Sequence, residues 1–335
     1  MLDLGLLFDV DGPLASPVTR SIRIPSILYD LVALTAAGVP IAFITGRSDS
    51  FIRDQVIAPL LEVGLASALD TPGARMFGVF EKGGSWAPIT SSGMGEVTVD
   101  TSVALPASIV DGVRSLVADG FSDTMFFDET KRAMISVEQR TDVSAETYQR
   151  AQAWFNDDSF ALVAAAGLGV KLGSRSALDA AGNVPFRLDP TIISTDIESV
   201  LLDKDHGAAR ALAYFASLGP LPTLWRSIGD SRSDYLMADH LHEAGYDVAH
   251  VDVRPADGIL ERPYRVIVEG DSIHDEAGAA FLGYWARRLA ASCDGGDSVD
   301  IAALQRRRPV TPRSAHGEHG SFAPEPPIDS TPATN

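Results

Sequence analysis

An apolar run near the start of the chain, Leu4-Gly5-Leu6-Leu7-Phe8, leads directly into Asp9-Val10-Asp11-Gly12. A short run that is apolar at every position is typical of a strand buried on both faces of a parallel sheet. The two acids then lie at the carboxyl edge of that sheet, where open α/β folds bind ligands. Two carboxylates this close repel each other unless a cation shares the site. The run therefore predicts an α/β core and, at its edge, a site for a divalent metal ion and an anionic group.

The alternation of strand and helix continues from this run on both sides of the middle of the chain. Residues 28–38 carry apolar side chains at helical spacing, and residues 39–44 form a second apolar run. After residue 191 the same alternation returns, with a helix predicted from Lys204 and a strand predicted over 224–228. This pattern predicts a doubly wound, Rossmann-like parallel sheet.

The middle of the chain differs from this pattern, because short strands alternate there with two longer helices. Strands are predicted over 96–105, 124–127 and 133–138, and helices over 107–118 and 145–157. Such an arrangement indicates an α+β insert, with an antiparallel sheet covered by helices on one face. The predicted units are a discontinuous core (1–82 and 190–291), an inserted α+β cap domain (83–189) and a disordered tail rich in Gly, Ser and Pro (292–335).

Composition and charge narrow the classes of function. The chain has 335 residues and a formal net charge of −18. That sign opposes binding to nucleic acid or to an anionic membrane, since both require Lys and Arg to neutralise phosphates. Cys293 is the only cysteine, which excludes an internal disulfide, and we find no secretory signal and no apolar stretch of roughly 18 residues. We therefore expect a cytoplasmic protein without nucleic-acid or membrane partners, either a monomer or a dimer.

Four loops carry polar side chains after the predicted strands or at a predicted helix start. Each loop alone has an ordinary explanation, since D-x-D-G is common in turns and Lys204 is a usual surface residue at the start of a helix. Their joint occurrence in one α/β pattern favours a single site instead. The polar residues of these loops are Asp9 and Asp11, Thr45 and Arg47, Lys204, and Asp230 and Asp234.

In this order and context the four loops resemble the motifs of the haloacid dehalogenase superfamily of phosphotransferases. The stretch GDSRSDYLM, residues 229–237, closely follows the G-D-S-x-N-D-x-x-M of the Cof-like sugar-phosphatase branch, and EKGGSWAPI, residues 81–89, resembles its E-N-G-A strand. The resemblance covers residues 1–291, although within the cap it is one of arrangement only. Two residues depart from the pattern: Pro13 replaces a Thr or Val, and Ser233 replaces the Asn of the last motif.

The resemblance implies an aspartyl-phosphate mechanism that uses Mg²⁺. Asp9 would be the nucleophile, and Asp11 would act first as general acid and then as general base. Thr45, Gly46 and Lys204 would bind the phosphoryl group. The residues implied around the metal ion are Asp9, Asp11 through its backbone carbonyl, Asp230, and Asp234, which would orient the water shell.

We therefore predict an Mg²⁺-dependent phosphomonoester hydrolase that acts on a small phosphorylated metabolite, with a sugar phosphate as the expected substrate. Arg47, Lys82 and Arg232 are candidate substrate contacts, against the ordinary reading of structural salt bridges. Two alternatives stay open: a phosphosugar mutase resembling phosphomannomutase, and a non-catalytic ligand-binding protein of the same fold. A lookalike motif, GDSIHD at 270–275, lies much further beyond Lys204 than Asp230 does, and its Asp271 is predicted to be structural.

Overall fold

The computed structural model describes residues 3–293, with side chains to residue 291. In this range the chain forms two sheets, the first flanked by helices on both faces and the second on one. The predicted tail, 292–335, lies outside the described residues from 294 onward. Among the described residues, no helix combines the length and the apolar composition that crossing a membrane requires.

Strands and helices alternate along the chain. The strands that come first are β1 (Leu4–Phe8), β2 (Ile41–Ile44), β3 (Met76–Phe80), β4 (Ser85–Thr90), β5 (Gly93–Met94) and β6 (Thr98–Val99). The helices among them are α1 (Pro25–Ala36), α2 (Asp49–Ile52), α3 (Ala58–Glu62) and α4 (Leu65–Leu69). The second sheet and its helices are α5 (Ala107–Leu116), β7 (Met125–Phe127), β8 (Ile135–Gln139), α6 (Ala145–Ala165), β9 (Val170–Leu172), β10 (Arg175–Ala177), β11 (Phe186–Pro190) and β12 (Ser194–Ser199). The chain then returns through α7 (Lys204–Leu218), β13 (Leu224–Gly229), α8 (Tyr235–Glu243), β14 (Asp247–Asp252), β15 (Arg265–Ile267) and α9 (His274–Cys293).

The first sheet has the order β15-β14-β13-β1-β2-β3-β4-β5, with β6 paired to β4. Neighbours from β15 to β3 are parallel, and β4 runs antiparallel to β3. β1 lies between β13 and β2, with Phe8 opposite both Ile228 and Phe43. The carboxyl ends of these three strands therefore meet at one point of the sheet edge, where ligands bind in open α/β folds. The predicted α/β class, with a doubly wound parallel core, is confirmed.

The first sheet is covered on both faces, which explains why β1 is apolar throughout. Leu6 and Phe8 are fully buried and pack with α1 and α9. Leu7 points to the opposite face and packs with α7 and α8. Gly5 lies beneath the Trp225 ring, and a Cβ at that position would come within 2.5 Å of the ring. Close approach to this ring therefore requires glycine at residue 5.

The second sheet, in the order β10-β9-β11-β12-β8-β7, has one apolar and one polar face. Along β8, Ile135 and Val137 are fully buried with residues of α5 and α6, and the alternating residues Ser136 and Glu138 point the other way. Helices cover one face, as predicted, and the polar face is turned toward the carboxyl edge of the first sheet. The prediction of an antiparallel sheet is wrong for one pair of strands, because β9 and β11 are parallel neighbours.

Other element predictions in this part of the chain need correction. The strand predicted over 96–105 is limited to β6, because the Asp100 carboxylate accepts from the NH and the hydroxyl of Ser102 and turns the chain. The helix predicted over 145–157 continues as α6 to Ala165. Beside the first sheet, a π-helical turn at residues 53–57 connects α2 to α3.

The strand pairs indicate where the chain passes from one sheet to the other. β4, β5 and β6 pair within the first sheet, beyond the predicted boundary at residue 82. β12 pairs with β8 and β11 in the second sheet, beyond the predicted boundary at residue 189. We therefore propose that the chain leaves the first sheet after β6 and returns to it after β12.

Candidate active site

Lys204 lies at the centre of a buried group of charges at the carboxyl ends of β1, β2 and β13. It is the first residue of α7, and the Asp203 side chain caps that helix by accepting from the Lys204 backbone NH at 2.9 Å. The Lys204 Nζ donates to Asp9 Oδ1 at 2.6 Å and to the Ile44 carbonyl at 2.7 Å. It also lies 2.7 Å from Asp234 Oδ1. One ammonium thus joins β1, β2 and the loop that follows β13.

An acidic cluster, made of Asp9, Asp230 and Asp234, surrounds this ammonium. One oxygen from each carboxylate lies within 4.8 Å of the other two. Asp234 is fully buried, and its Oδ2 accepts hydrogen bonds from the backbone NH groups of Asp230 and Ser231 and from the Ser231 hydroxyl. Gly12 has a φ of 93°, and a Cβ there would lie 2.7 Å from the Asp230 carboxyl carbon. The glycine of D-x-D-G is therefore needed for both its backbone conformation and its lack of a side chain.

The three acids differ in pKa because their burial and the charges and hydrogen bonds around them differ. Burial raises the pKa of Asp9 well above its usual value; Lys204 opposes this shift and Asp234 adds to it. Burial acts in the same direction on Asp234, but Lys204 and the hydrogen bonds from Ser231 outweigh it and hold the pKa of Asp234 below its ordinary value. Burial, together with the charge of Asp234, raises the pKa of Asp230 to about 6. The site therefore holds more negative charge than one ammonium neutralises.

The acidic cluster fits a hard divalent cation. Mg²⁺ takes oxygen ligands at about 2.0–2.1 Å in octahedral geometry, which places neighbouring ligand oxygens roughly 3–4 Å apart. The three carboxylates lie within a small adjustment of that spacing. Asp234 Oδ1 is buried and lies 2.7 Å from the Lys204 ammonium. The Asp11 backbone carbonyl stays a prediction as a further ligand.

The loop after β2 adds a hydroxyl and a guanidinium to the site. Thr45 is fully buried, and its hydroxyl oxygen accepts from the Arg47 backbone NH at 3.1 Å, which leaves the hydroxyl proton for another acceptor. Arg47 donates from Nε and Nη2 to the two oxygens of Asp11 at 2.9 and 3.1 Å. The Gly46 carbonyl accepts from Lys131 Nζ at 2.5 Å. Residues from all four predicted loops thus meet at one edge of the sheet.

The three cations predicted as substrate contacts have different surroundings. Arg47 lines the cavity described below. The Lys82 ammonium donates to Glu198 at 2.9 Å and so is engaged with the second sheet. Arg232 is exposed in a short 3₁₀ turn before α8. Substrate contact by each of them stays a prediction.

The lookalike motif GDSIHD lies at the start of α9. Asp271 is exposed, and Asp275 is buried and pairs with Arg23 at 2.6 Å. His274 Nδ1 lies 3.9 Å from Asp230 Oδ2. Sequence reasoning missed this approach, because it depends on a left-handed backbone at His274, with a φ of 50°.

A cavity of about 310 Å³ lies between these loops and the polar face of the second sheet. Three cations from separate segments line it: Arg20, Arg47 and Lys131. The second sheet contributes the carboxylates of Glu138 and Asp196. Burial raises the pKa of Glu138 above its ordinary value. The cavity therefore offers positively charged hydrogen-bond donors and negatively charged hydrogen-bond acceptors.

Sequence reasoning did not find the cavity residues that the second sheet supplies. The alternation in ISVEQ, residues 135–139, indicates a strand with two different faces. It does not say toward which part of the molecule the polar face turns. Lys131 carried no signal either, because a cation in the turn between two strands is usually solvated.

Comparisons with known proteins identify the fold. No protein-family model and no curated protein sequence matches the chain. The structure is similar to the C-terminal domain of C. albicans trehalose-6-phosphate phosphatase, with a TM-score of 0.57 and 13% identity, over 85% of this chain and 93% of that chain. A haloacid dehalogenase-like hydrolase from Bacteroides thetaiotaomicron gives a TM-score of 0.49 at 12% identity, over 84% of this chain and 98% of that chain. Plasmodium falciparum IMP-nucleotidase gives 0.49 at 10% identity, over 86% and 62%.

These likenesses concern the fold. The chain shares its fold with the C. albicans domain, whereas membership of the haloacid dehalogenase superfamily and of its Cof-like branch stays a prediction. Activity has to be argued from the site itself.

Proposed function

We propose that the chain is a phosphomonoester hydrolase that forms an aspartyl phosphate on Asp9. The proposal rests on one observation: the Asp9 carboxylate, the Lys204 ammonium and the Thr45 hydroxyl converge at one edge of the sheet, beside an acidic cluster that fits Mg²⁺. A carboxylate nucleophile, phosphoryl-binding donors and a metal site are the parts that this chemistry requires.

The proposed reaction has two steps. First, an Asp9 oxygen attacks phosphorus, a P–O bond to Asp9 forms, and the P–O bond to the leaving alcohol breaks while Asp11 gives that oxygen a proton. Second, water attacks phosphorus while Asp11 takes the water proton, the P–O bond to Asp9 breaks, and phosphate leaves with the Asp9 carboxylate restored. Lys204 and Thr45 stabilise negative charge on the transferring oxygens in both steps. Mg²⁺, when bound, supplies positive charge against the phosphate and the nucleophile.

Arg47 has a positioning role in this scheme. It holds both oxygens of Asp11 at 2.9 and 3.1 Å and lines the cavity at the same time. A guanidinium with five donors can keep one carboxylate oriented while it donates to a phosphate oxygen. Arg47 is therefore placed to aim Asp11 at the leaving oxygen.

A sugar phosphate is the substrate class that we propose. The cavity volume of about 310 Å³ lies at the low end of the roughly 300–1,000 Å³ that is typical of small-ligand sites. Lys131 and Arg20 can donate to hydroxyl groups, and Glu138, Asp196 and Ser136 can accept from them. Such a lining suits a polar leaving group with many hydroxyls better than an apolar one. The similar C. albicans structure is, by its name, a phosphatase of a sugar phosphate.

The test is an assay of phosphate release by the purified chain, with and without Mg²⁺. p-Nitrophenyl phosphate, glucose 6-phosphate and trehalose 6-phosphate are the probes. We expect Mg²⁺-dependent release that falls to background in Asp9→Asn, because the nucleophile is lost. Asp271→Asn is the control: this exposed acid lies in the lookalike motif, and its replacement should change the rate by less than about twofold.

Three results would contradict the proposal. Turnover that survives in Asp9→Asn would remove the covalent mechanism. An isomeric sugar phosphate formed without inorganic phosphate would favour the mutase alternative. Binding of a probe without any product would favour the non-catalytic alternative.

A further inference from the structure

Glu81 and Lys82 form the turn between β3 and β4, and this turn contacts the second sheet at two separate places. Both residues have left-handed backbones, with φ of 52° and 55°, a conformation that is uncommon and unfavourable for residues other than glycine. Their backbone NH groups donate to the carbonyls of Arg47 and Thr45 at 3.1 and 2.9 Å. The turn is thus fixed to the loop after β2, and its two side chains reach the second sheet.

Glu81 holds the hairpin turn between β7 and β8. Its carboxylate is fully buried and accepts hydrogen bonds from four groups. The donors are the backbone NH groups of Arg132, Ala133 and Met134 and the Ser85 hydroxyl. The residue just before this set, Lys131, donates to the Gly46 carbonyl and lines the cavity. Glu81 therefore fixes the backbone from which Lys131 extends.

Lys82 holds the polar face of β11 and β12. Its Nζ lies 2.9 Å from Glu198, 3.3 Å from Asp196 and 3.4 Å from Asp189. Glu198 is fully buried and also lies 2.7 Å from Arg187. Burial lowers the pKa of Lys82, but the surrounding carboxylates outweigh it and keep the group an ammonium. Lys82 therefore fixes Asp196, which lines the cavity.

Glu81 and Lys82 each contact a part of the second sheet that carries a charged cavity residue, and the two cavity residues have opposite charges. Lys131 is positioned through Glu81, and Asp196 through Lys82, although Glu81 and Lys82 are neighbours in the chain. We propose that Glu81 and Lys82 are a positioning pair that holds the second sheet over the site and sets the placement of Lys131 and Asp196, and so selects the leaving group. The selection of a leaving group rests on the proposed function, whereas the holding of the second sheet does not.

Other contacts keep the two sheets together when the pair is removed. Arg187 on β11 donates to the Leu202 carbonyl at 2.7 Å and lies 3.6 Å from Asp203, which caps α7. Arg132 pairs with Asp49 at 2.7 Å through its side chain. Loss of Glu81 or Lys82 therefore leaves the second sheet attached and loosens its placement over the site.

The first test is hydrogen exchange of the wild-type chain without ligand. The amides of Arg132, Ala133 and Met134 precede β8 and lie outside its strand ladder, yet they donate to a buried carboxylate. We expect them to exchange at least about tenfold more slowly than the amides of the exposed turn at Gly173 and Ser174. Equal exchange in the two turns would overturn the proposal without any variant being made.

The second test compares Lys82→Met with Lys82→Arg. In Lys82→Met we expect exchange across β12 to quicken at least about fivefold, and KM for trehalose 6-phosphate or glucose 6-phosphate to rise about tenfold. kcat/KM for p-nitrophenyl phosphate, whose aryl group lacks hydroxyls, should stay within about twofold of wild type. Lys82→Arg should restore most of the KM. Arg140→Met, which removes an exposed ion pair with Asp142, is the matched control and should change none of these values.

The outcomes separate this proposal from the proposed function. A Lys82→Met variant that lowers kcat/KM equally for the aryl and the sugar probes would show a merely structural role and contradict the pair's part in selection. If the wild-type chain hydrolyses none of the probes, the proposed function fails, and exchange across β12 still decides whether Lys82 holds the second sheet. If Lys82→Met does not fold, Glu81→Gln replaces it, with exchange at residues 132–134 as the readout.

Discussion

The Lys204 side chain shows how the site holds charges that burial disfavours. It is 6% exposed, and its partners Asp9 and Asp234 are 9% and 0% exposed. Removing one member of such a buried group typically destabilises a protein by about 3–5 kcal/mol, because the remaining charge is left without a partner. Asp234 also accepts hydrogen bonds from Ser231, so the excess negative charge falls on Asp9 and on Asp230. A bound cation would therefore favour the ionised form of the nucleophile.

Thr45→Val is the most direct test at the scale of one residue. The substitution keeps the shape of the side chain but removes the hydroxyl proton that we assign to a phosphoryl oxygen. We expect kcat/KM for p-nitrophenyl phosphate to fall about 10²–10³-fold, the usual effect of losing one preorganised donor to a developing oxyanion. Thr45→Ser keeps the hydroxyl and should retain most of the activity.

The Val substitution also leaves the Arg47 NH without its acceptor, which typically destabilises by about 1–3 kcal/mol. Thermal denaturation must therefore accompany the kinetics. Wild-type efficiency in a folded Thr45→Val variant would remove Thr45 from the phosphoryl-binding group.

The sequence predicted the charged group around Lys204 better than the lining of the cavity. Asp9, Lys204 and Asp234 each belong to a loop whose place follows from an apolar run or a helix start, so a parallel sheet brings them together. Lys131 and Asp196 lie on a separate sheet, and their approach depends on how that sheet packs against the first. No local pattern encodes that packing.

At the scale of elements, α9 supports the loop that carries Asp9 and Asp11. The helix backbone packs directly on that loop: a Cβ on Gly278 would come within 1.8 Å of the Pro13 carbonyl oxygen. Near the start of the same helix, Asp275 pairs with Arg23 and fixes the chain just before α1. The loop thus packs directly on α9, and this close approach requires glycine at residue 278.

Gly278→Ala is expected to destabilise the protein. Alanine normally stabilises a helix by about 1 kcal/mol relative to glycine, but here the added methyl group meets backbone that cannot move aside without displacing Pro13. Overpacking of this kind typically costs about 1–3 kcal/mol, and we expect phosphatase activity to fall as well. Urea denaturation and phosphate release measure the two effects.

Gly283→Ala in the same helix is the matched control. Its added methyl group meets mainly the end of the flexible Arg287 side chain, at 3.2 Å. We expect unchanged or slightly higher stability and full activity. Equal stabilities of the two variants would show that α9 does not constrain the loop.

The accuracy of the element predictions follows from the kind of signal that each segment carries. The strands predicted over 39–44 and 224–228 correspond to β2 and β13, and both strands are buried on two faces. The segment 96–105 looks like a strand but turns at Asp100, where side-chain hydrogen bonds to Ser102 compete with strand pairing. A buried strand can be predicted from its sequence, whereas competition between side-chain hydrogen bonds and strand pairing is much harder to predict.

At the scale of the whole molecule, the proposed function requires an anionic protein to bind an anionic substrate. The net charge is −18, yet Arg20, Arg47 and Lys131 line the same cavity. The polar face of the second sheet is acidic and is partly neutralised by Lys82. The cavity lining thus sets these three cations against the carboxylates of Asp11, Glu138 and Asp196, so a phosphate dianion would meet balanced charge there rather than the net negative charge of the chain.

Mg²⁺ is expected to stabilise the whole molecule, and by more at about pH 7.5 than at about pH 5. Burial raises the pKa of Asp230 to about 6 and raises that of Asp9 as well. Without a cation, the folded protein therefore keeps protons that the unfolded chain has already released, so these groups reduce stability as pH rises from about 4 through 6. A cation on the same carboxylates must displace those protons at low pH but not at neutral pH. Thermal denaturation in MgCl₂ and in EDTA at the two pH values measures the difference.

The size of the effect follows from mass action, since a ligand at about 100 times its Kd stabilises the folded state by about 2.7 kcal/mol. Asp230→Asn should abolish most of the shift in Tm at neutral pH, because it removes one carboxylate of the acidic cluster. Asp271→Asn, in the exposed lookalike motif, should preserve it. An equal shift at both pH values, or a full shift in Asp230→Asn, would mean that Mg²⁺ binds elsewhere and that the acidic cluster is balanced by protons alone.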